Sequence, residues 1–264
     1  MPSDFSSIGF PVETKESLRR LVEQGARYGE RISAPRGGAY YRWSPGGGAE
    51  VWVQVNPKGE LFGMHPHFTG AARMRASLTG RVPDDRGPLD GAFWQEPCDA
   101  EMGCPFVFNV PDYACCSQLK LPAVVELQLA AFARELMAYA TDAEFAASQR
   151  QRTDWKGWAP ESFVPSGTFK LGDGLTVPPK AEAILAGHVL ETGMATNGST
   201  RNVFQWARIR TFGAVLDVVA DPAILEGTIV PGGVVFGTFW LSGRVPDYQP
   251  PANHGLLGRL FGKE

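Results

Sequence analysis

The stretch AEVWVQVNPKGELFGMHPHF, residues 49–68, decides how the first part of the chain folds. Two runs rich in β-branched and aromatic residues flank the turn-forming segment NPKG, residues 56–59, and this pattern predicts a β-hairpin. His65 and His67 are two positions apart on the second strand, so both imidazoles point to the same face of the sheet. This pair is either half of a metal site or two packed ring side chains.

The proline in the turn sets the expected strand register. A two-residue loop centred on Pro57 would place Glu50 opposite His65, but it needs a positive φ that the pyrrolidine ring forbids. We therefore predict a type I turn followed by Gly59 as a bulge residue. In that register Val51, rather than Glu50, faces His65. A third metal ligand would then have to come from another strand.

The residues before the hairpin complete a β-α-β-β-β order. Residues 5–12 predict a first strand, and Thr14 is a candidate N-cap for the helix that follows. Residues 32–43 predict the next strand. The helix is indicated by apolar residues at helical spacing: Leu18, Leu21, Val22 and Ala26.

This order over residues 5–68 resembles a half-module of the vicinal-oxygen-chelate (glyoxalase/bleomycin-resistance) superfamily. In that superfamily the first and last strands of a module supply His, Gln or Glu ligands, so the resemblance implies a metal-dependent enzyme. Here the first strand offers only Ser6 and Ser7, and the last offers His65 or His67 where Glu is usual. His65 and His67 are thus the candidate metal ligands, and a metal ion is the candidate cofactor.

The middle of the chain is less regular. Residues 73–82 and 105–110 predict strands. Residues 123–139 fit either a long strand, from their valines and leucines, or a helix, from their Ala, Glu and Met content. Thr141 and Glu144 form a capping box that predicts a helix over residues 142–150.

A segment rich in Gly and Pro, residues 166–180, predicts a linker. The residues after it predict strands only, interrupted by glycines where a small barrel must bend, and they resemble an OB-type barrel. The expected strands are 181–193, 202–213, 214–221 and 233–245.

These patterns predict an α+β protein in two parts. Residues 1–165 form a mixed, mainly antiparallel sheet with few helices, and residues 181–248 form a small OB-like β-barrel. Residues 249–264 are a Pro-rich spacer and an apolar tail, which would dock on this chain, on a second copy or in a partner's groove. The tail's apolar residues are Leu256, Leu257, Leu260 and Phe261.

Composition restricts the classes of function. The chain has 264 residues and a net charge of −3, so nothing favours binding to nucleic acid or to an anionic membrane. Between residues 181 and 248 the acidic residues outnumber the arginines and there is no lysine, so a nucleic-acid role for the barrel is disfavoured. No run of about 18 apolar residues occurs, and the N-terminus lacks a signal-peptide pattern, so we expect a cytoplasmic protein.

Four cysteines have spacings that match no standard zinc motif, and we expect them to be reduced structural thiols. They are Cys98, Cys104, Cys115 and Cys116. Single acidic residues within apolar runs, Glu126 and Asp217, are expected on solvent-facing strand positions. Residues 154–163, which contain two tryptophans, are expected at the seam between the two parts.

The sequence does not specify a substrate or a reaction. The leading hypothesis is a non-catalytic cytoplasmic protein that binds a partner or small ligand at the seam or through the tail. The alternative is a metal-dependent enzyme of the chelate type that uses His65 and His67. The third is binding of single-stranded nucleic acid through the barrel.

Overall fold

The computed structural model describes residues 3–35, 37–83, 87–98, 103–151, 157–166, 179–246 and 248. It is an α+β chain dominated by strands, and its described part contains two α-helices, α1 (Lys15–Tyr28) and α2 (Asp142–Gln151). Thr14 caps α1 as expected, because its hydroxyl accepts the Ser17 backbone N–H while the Ser17 side chain accepts the Thr14 N–H. At α2 the Thr141 hydroxyl accepts the Glu144 N–H as the predicted capping box requires, but Glu144 Oε2 accepts the N–H of Ala140 rather than that of Thr141.

Fourteen strands occur in the described residues and form two sheets. The smaller sheet has the order β1-β2-β3-β4, with β1 (Glu30–Ser33), β2 (Ala39–Gly46), β3 (Ala49–Val55) and β4 (Leu61–Phe68). The larger sheet contains β5 (Met74–Pro83), β6 (Gly91–Glu96), β7 (Phe106–Asn109), β8 (Ala123–Tyr139), β9 (Ser162–Pro165), β10 (Glu182–Thr196), β11 (Val203–Thr211), β12 (Ala214–Ala220), β13 (Leu225–Glu226) and β14 (Val234–Arg244).

Three expectations about the N-terminal part were wrong. The single strand predicted over residues 32–43 is two strands, β1 and β2, which pair antiparallel with Ser33 opposite Ala39. The predicted strand over residues 5–12 is a single 3-10 turn, Ser6–Ile8, which ends where Gly9 takes a φ of +81° and donates its N–H to the Ser6 carbonyl. The strand β6 lies between the strands predicted over residues 73–82 and 105–110, in a region for which no strand was predicted. The ambiguous segment 123–139 is a strand along its whole length.

Strands β8 and β14 connect the two parts of the chain. They pair with each other antiparallel from Gln128 to Tyr139, and β8 also pairs with β5 and β12. Strand pairing runs from β10 to β11, then to β12, β8 and β14, and β14 also pairs with β10. The strands of the predicted C-terminal part therefore pair with β8, which the sequence places in the N-terminal part.

The expected division into domains stays a prediction, because residues 167–178 of the predicted linker lie outside the described residues. The same holds for the tail residues Leu256, Leu257, Leu260 and Phe261, on which no structural statement is made. In the part of the chain that is described, no helix combines the length and apolar character needed to cross a membrane.

The smaller sheet is covered on both faces. Its Val51 and Val53 pack in one apolar cluster with Leu21 of α1. On its other face Tyr40 is fully buried, and its hydroxyl donates to the Leu89 carbonyl at 2.6 Å. This second face meets the larger sheet, and the polar side chains of the hairpin lie there.

Candidate functional site

The hairpin register differs by one residue from the predicted register. The turn has the expected bulge glycine, since Gly59 has a φ of +83° and donates its N–H to the Asn56 carbonyl. Val55 still pairs with Leu61, but Gln54 pairs with Gly63, so Phe62 is an extra, bulged residue in β4. This bulge shifts every later pair by one position.

The shift reverses which side chains face the histidines. Glu50 lies opposite His67 and Trp52 lies opposite His65, whereas Val51 lies opposite Pro66. The expectation that valines share the histidine face was therefore wrong. The reason is that a bulge flips the facing of all residues beyond it.

Polar side chains from both sheets meet between them and form what we call the buried polar layer. It comprises Arg42, Glu50, Gln54, His65, His67, Asp90, Gln128 and Ser242. All of these residues except Arg42 are less than 7% exposed. Polar groups buried to this extent are stable only when they bind one another.

Glu50 is held by donors from its own sheet. Its Oε1 accepts from the Arg42 guanidinium, through Nε at 2.9 Å and through a second, shorter contact, and its Oε2 accepts from Trp52 Nε1 at 2.9 Å. Burial acts to raise the pKa of Glu50, but the attraction of protonated His67 and the hydrogen bonds from Arg42 and Thr69 outweigh it. The pKa of Glu50 is lowered to about 2, so the side chain is an anion at neutral pH.

His67 uses both ring nitrogens to bind the larger sheet. Its Nδ1 lies 2.9 Å from Ser242 Oγ on β14, and its Nε2 lies 2.7 Å from Gln128 Oε1 on β8. Gln128 Nε2 donates onward to the Phe68 carbonyl at 3.1 Å, which leaves Oε1 as the acceptor for a proton on Nε2. Burial lowers the pKa of His67 to about 4, against the attraction of Glu50, so the ring is neutral at pH 7.

His65 pairs with a different acid. Its Nε2 is 3.0 Å from Asp90 Oδ1, close enough for an ion pair but outside hydrogen-bond geometry. The ring stacks on Trp240, with centroids 6.1 Å apart and planes 25° apart. His65 and His67 thus share a face of β4 but have separate sets of partners.

This arrangement bears directly on the candidate metal ligands. Within the residues that the structure describes, no group of three or more His, Cys, Asp or Glu side chains is placed to hold a metal ion. Both nitrogens of His67 already have protein partners, and a metal would have to displace one of them. Ser6 and Ser7 do not supply a ligand strand, since they belong to the 3-10 turn.

The four cysteines are free thiols in this structure, and Cys98 is exposed. Cys115 and Cys116 are buried in two different apolar clusters, and burial raises the pKa of both thiols. Cys104 is half-buried, and burial raises its pKa to about 11. These values keep the three thiols protonated and unreactive at neutral pH.

One acidic residue is placed differently from the prediction. Asp217 is 1% exposed, accepts the Ala72 backbone N–H at 2.8 Å and lies 3.5 Å from Arg208 Nε. Burial raises its pKa in spite of these contacts. Glu126, in contrast, is exposed as expected and lies 3.6 Å from Arg73 Nε.

Two arginines and five aromatic residues of the C-terminal strands contact other parts of the fold. Arg208 lies 3.0 Å from Glu191 Oε2, and Arg210 lies 2.8 Å from Glu161 Oε1. The aromatic residues of β11 and β14 are buried or partly buried in apolar clusters: Phe204, Trp206, Phe236, Phe239 and Trp240.

A cavity of about 170 Å³ lies where residues on both sides of the predicted linker meet. Phe163 on β9 and Phe212 after β11 line it, together with Met74 on β5 and Phe106 on β7. The Phe106 and Phe163 rings are in contact, with centroids 4.9 Å apart. Phe163 ends the segment that the sequence places at the seam, so this cavity, hereafter the seam cavity, is the second candidate site.

Neither the family models, nor the curated proteins, nor the solved structures with which the chain was compared give a match. The likenesses to the chelate superfamily and to the OB-type barrel therefore rest on element order and residue pattern alone.

Sequence reasoning missed most residues of the buried polar layer. Gln128, Ser242 and Asp90 are isolated polar residues in or next to apolar strands, and they reach the histidines from 25 or more positions away in the chain. The one usable signal was a polar residue within an apolar run, as Gln128 is in VVELQLAAF. Its partner cannot be deduced without the sheet order.

Proposed function

We propose that this chain is a non-catalytic cytoplasmic protein that binds a small ligand or a protein partner, with the seam between its two parts as the binding region. In this proposal the buried polar layer is structural and joins the two sheets. The OB-like barrel of the C-terminal part also belongs to the proposal. The pairing of β14 with β10, β10 with β11 and β11 with β12 supports it, whereas β12 and β14 each pair with β8 of the N-terminal part rather than with each other.

The observation that carries the proposal is the bonding of His67. A catalytic or metal-binding histidine needs a free nitrogen that a substrate, water or metal can reach. His67 is 0% exposed and both of its ring nitrogens have protein partners within 2.9 Å. Glu50, which lies opposite His67 on β3, is likewise bonded to Arg42 and Trp52.

The metal-dependent alternative keeps one observation in its favour. The bulge at Phe62 brings Glu50 opposite His67, and a Glu and a His on paired strands are typical zinc or iron ligands. A metal there would require the Arg42–Glu50 pair and one His67 hydrogen bond to break.

Elemental analysis distinguishes the two hypotheses. Protein without a histidine tag is incubated with Zn²⁺, Mn²⁺, Fe²⁺ or Ni²⁺, passed through a desalting column and analysed for bound metal. We expect less than about 0.1 equivalent of metal per chain, because the ligands are engaged. One equivalent that is lost in His67→Gln and Glu50→Gln but kept in the control variant His188→Gln would establish the metal site and refute the proposal.

A further inference from the structure

We propose that the chain forms a two-fold symmetric dimer, in which β10 of one copy pairs antiparallel with β10 of a second copy over residues 190–195. These residues, hereafter the open edge, do not line the seam cavity, so the inference goes beyond the proposed function. It is carried by the backbone pairing of β10, by the residue types of the open edge and by the position of Gly193.

The open edge exists because one neighbour of β10 ends before the other. His188 lies opposite both Arg210 on β11 and Val234 on β14, so the two neighbours lie on opposite sides of β10. Beyond His188 the pairing with β14 stops, whereas the pairing with β11 continues to the end of the strand. Within the residues that the structure describes, no strand pairs with the other side of residues 190–195.

Other parts of the chain set the two limits of the open edge. At one end the Val189 N–H donates to the Gly233 carbonyl, and the Gly232 N–H donates to the Val189 carbonyl, both at 2.8 Å. At the other end the turn between β2 and β3 lies against Thr196, because a Cβ added at Gly47 would be 2.5 Å from the Thr196 carbonyl oxygen. The residues between these limits are exposed or half-buried.

The hydrogen bonds between β10 and β11 identify the backbone groups that point outward. The Asn197 N–H donates to the Asn202 carbonyl at 2.9 Å, so Asn197 faces β11. The Trp206 carbonyl faces β10, since it accepts the Thr192 hydroxyl at 2.8 Å. Along an antiparallel pair, residues alternate between bonding the partner strand and pointing away from it. Thr192 and Met194 therefore direct their N–H and C=O groups away from β11.

This edge is complementary to its own copy. A two-fold axis at Gly193 places Thr192 of each copy opposite Met194 of the other, and residues paired in this way exchange both of their N–H···O bonds. An axis at Met194 would pair Thr192 with Thr196, which the turn between β2 and β3 covers. An axis at Thr192 would pair Met194 with Leu190, at the irregularity in the β10–β11 register. Gly193 is thus the position that the geometry favours.

The open edge lacks the residues that prevent pairing. Edge strands of monomeric proteins are commonly protected by lysine, proline or an unpaired charge. Residues 190–195, LETGMA, contain no lysine and no proline. Their one charged side chain, Glu191, lies 3.0 Å from Arg208. In the dimer Glu191 faces Ala195 of the other copy, so no like charges meet.

Apolar groups flank the axis. Leu190 is 44% exposed and Met194 is 54% exposed, so pairing removes apolar surface from water. The Trp206 indole lies over Gly193, because a Cβ added there would be 3.0 Å from Trp206 Nε1. The indoles of the two copies then lie on either side of the axis, and tryptophan is enriched at the centres of protein interfaces.

Sedimentation equilibrium of the full chain at pH 7, over about 1–200 µM, measures the dimerisation. We expect the mass to rise from 28.6 kDa towards twice that value, with a dissociation constant of about 1–100 µM for so small an interface. Met194→Lys should raise this constant about tenfold or more, because pairing would desolvate the ammonium group. The matched control is Val124→Lys, at a 56% exposed strand residue of β8, and it should change the constant less than about twofold.

Disulfide cross-linking tests the register. The background variant Cys98→Ser removes the exposed native thiol. Chains with Thr192→Cys are mixed with chains with Met194→Cys and oxidised with diamide. The mixture should form a linked dimer, because the proposed register places these two Cα atoms about 5.5 Å apart. Each variant alone should form much less of it, because its cysteines are two positions out of register.

Circular dichroism checks the folding of each variant, and the cross-linking result does not depend on Met194→Lys. The inference is overturned by a mass of 28.6 kDa at every concentration, or by equal weakening in Met194→Lys and Val124→Lys. Equal cross-linking in the mixture and in the single variants would also overturn it. So would a mass that keeps rising beyond the dimer, because a two-fold pair leaves no open edge for a third copy.

Discussion

At the scale of single residues, His67 is a histidine that the fold keeps neutral. It lies between Ser242 and Gln128 and next to the anionic Glu50, yet burial lowers its pKa to about 4. His188 is the opposite case. Its two nitrogens lie 2.8 Å from two carboxylates, those of Glu161 and Asp142, and only the protonated ring can donate to both.

His67 predicts a loss of stability in weak acid. Its unfolded pKa is about 6.5 and its folded pKa is about 4, so between these pH values the unfolded chain binds a proton that the folded chain does not. The contribution of His67 to the free energy of unfolding should therefore be greatest above pH 6.5 and should fall by about 3 kcal/mol as the pH drops to 4. Urea unfolding at a series of pH values measures this.

The variant His67→Gln should be less stable at pH 7. Its free energy of unfolding should, however, lack the decrease that the natural chain shows through His67 between pH 6.5 and pH 4. An unchanged slope in that window would show that His67 does not titrate as proposed. Glu50 contributes a separate loss of stability as the pH falls below 4.5, because its folded pKa of about 2 lies below its ordinary value of 4.5.

His188 predicts the opposite dependence. Partial burial acts to lower its pKa, but the hydrogen bonds to Glu161 and Asp142 outweigh burial and raise the pKa above 6.5. Its contribution is fully present below pH 6.5 and is lost as the pH rises through the folded pKa. We expect a loss of about 0.5–1 kcal/mol, as for a partly exposed ion pair.

The loss at His188 is measurable in the His67→Gln background as a decrease in unfolding free energy between pH 6 and pH 9, because in the natural chain the titration of His67 raises stability over part of the same range. The double variant with His67→Gln and His188→Gln should show no such decrease. A decrease of the same size in the double variant would contradict the assignment.

At the scale of elements, one bulged residue determines which side chains of β3 and β4 lie on the same face of the smaller sheet. Pro57 and Gly59 form the turn that the sequence predicts, and the first pair beyond it, Val55 with Leu61, is in the expected register. The bulge at Phe62 has no local signal as strong as the turn, and Phe62 packs against an apolar cluster whose members, such as Tyr40 and Leu89, are distant in the sequence. Caps and turns were therefore predictable, whereas the facing of His65 and His67 was not.

Strand pairing between β8 and β14 gives an element-scale prediction. A Cβ added at Gly237 would lie 2.0 Å from the backbone oxygen of Glu135, so the two strands require a residue without a side chain there. We expect Gly237→Ala to lower the free energy of unfolding by at least about 1–3 kcal/mol. Urea unfolding provides the measurement.

The matched control is Gly80→Ala, another strand glycine, where the added Cβ would meet Trp94 Cβ at an ordinary 3.4 Å. It should change stability by less than about 1 kcal/mol. Equal effects of the two substitutions would mean that β8 and β14 do not approach as closely as described.

At the scale of the whole molecule, the sequence predicted the class of fold and most strand positions but not their neighbours. The division near residues 166–180 follows composition, yet β8 pairs with β14 across it. Composition describes each segment separately, while sheet order depends on contacts between distant segments. The same reason explains why Gln128 and Ser242 were not recognised as partners of His67.

The central claim is that the two histidines belong to a structural layer that ties the smaller sheet to the larger one. The contact between His67 Nε2 on β4 and Gln128 Oε1 on β8 is a direct link between the sheets. If the link is structural, removing one partner leaves the other buried and unsatisfied, whereas removing both avoids part of that loss.

A double-mutant cycle with His67→Leu and Gln128→Leu, measured by urea unfolding at pH 7 with EDTA present, tests this claim most directly. We predict a coupling free energy of about 0.5–3 kcal/mol between the two sites. The control cycle of His67→Leu with Gln149→Leu, a buried glutamine of α2, should be additive. Additive effects of His67→Leu and Gln128→Leu, or a coupling that appears only when metal replaces EDTA, would contradict the claim.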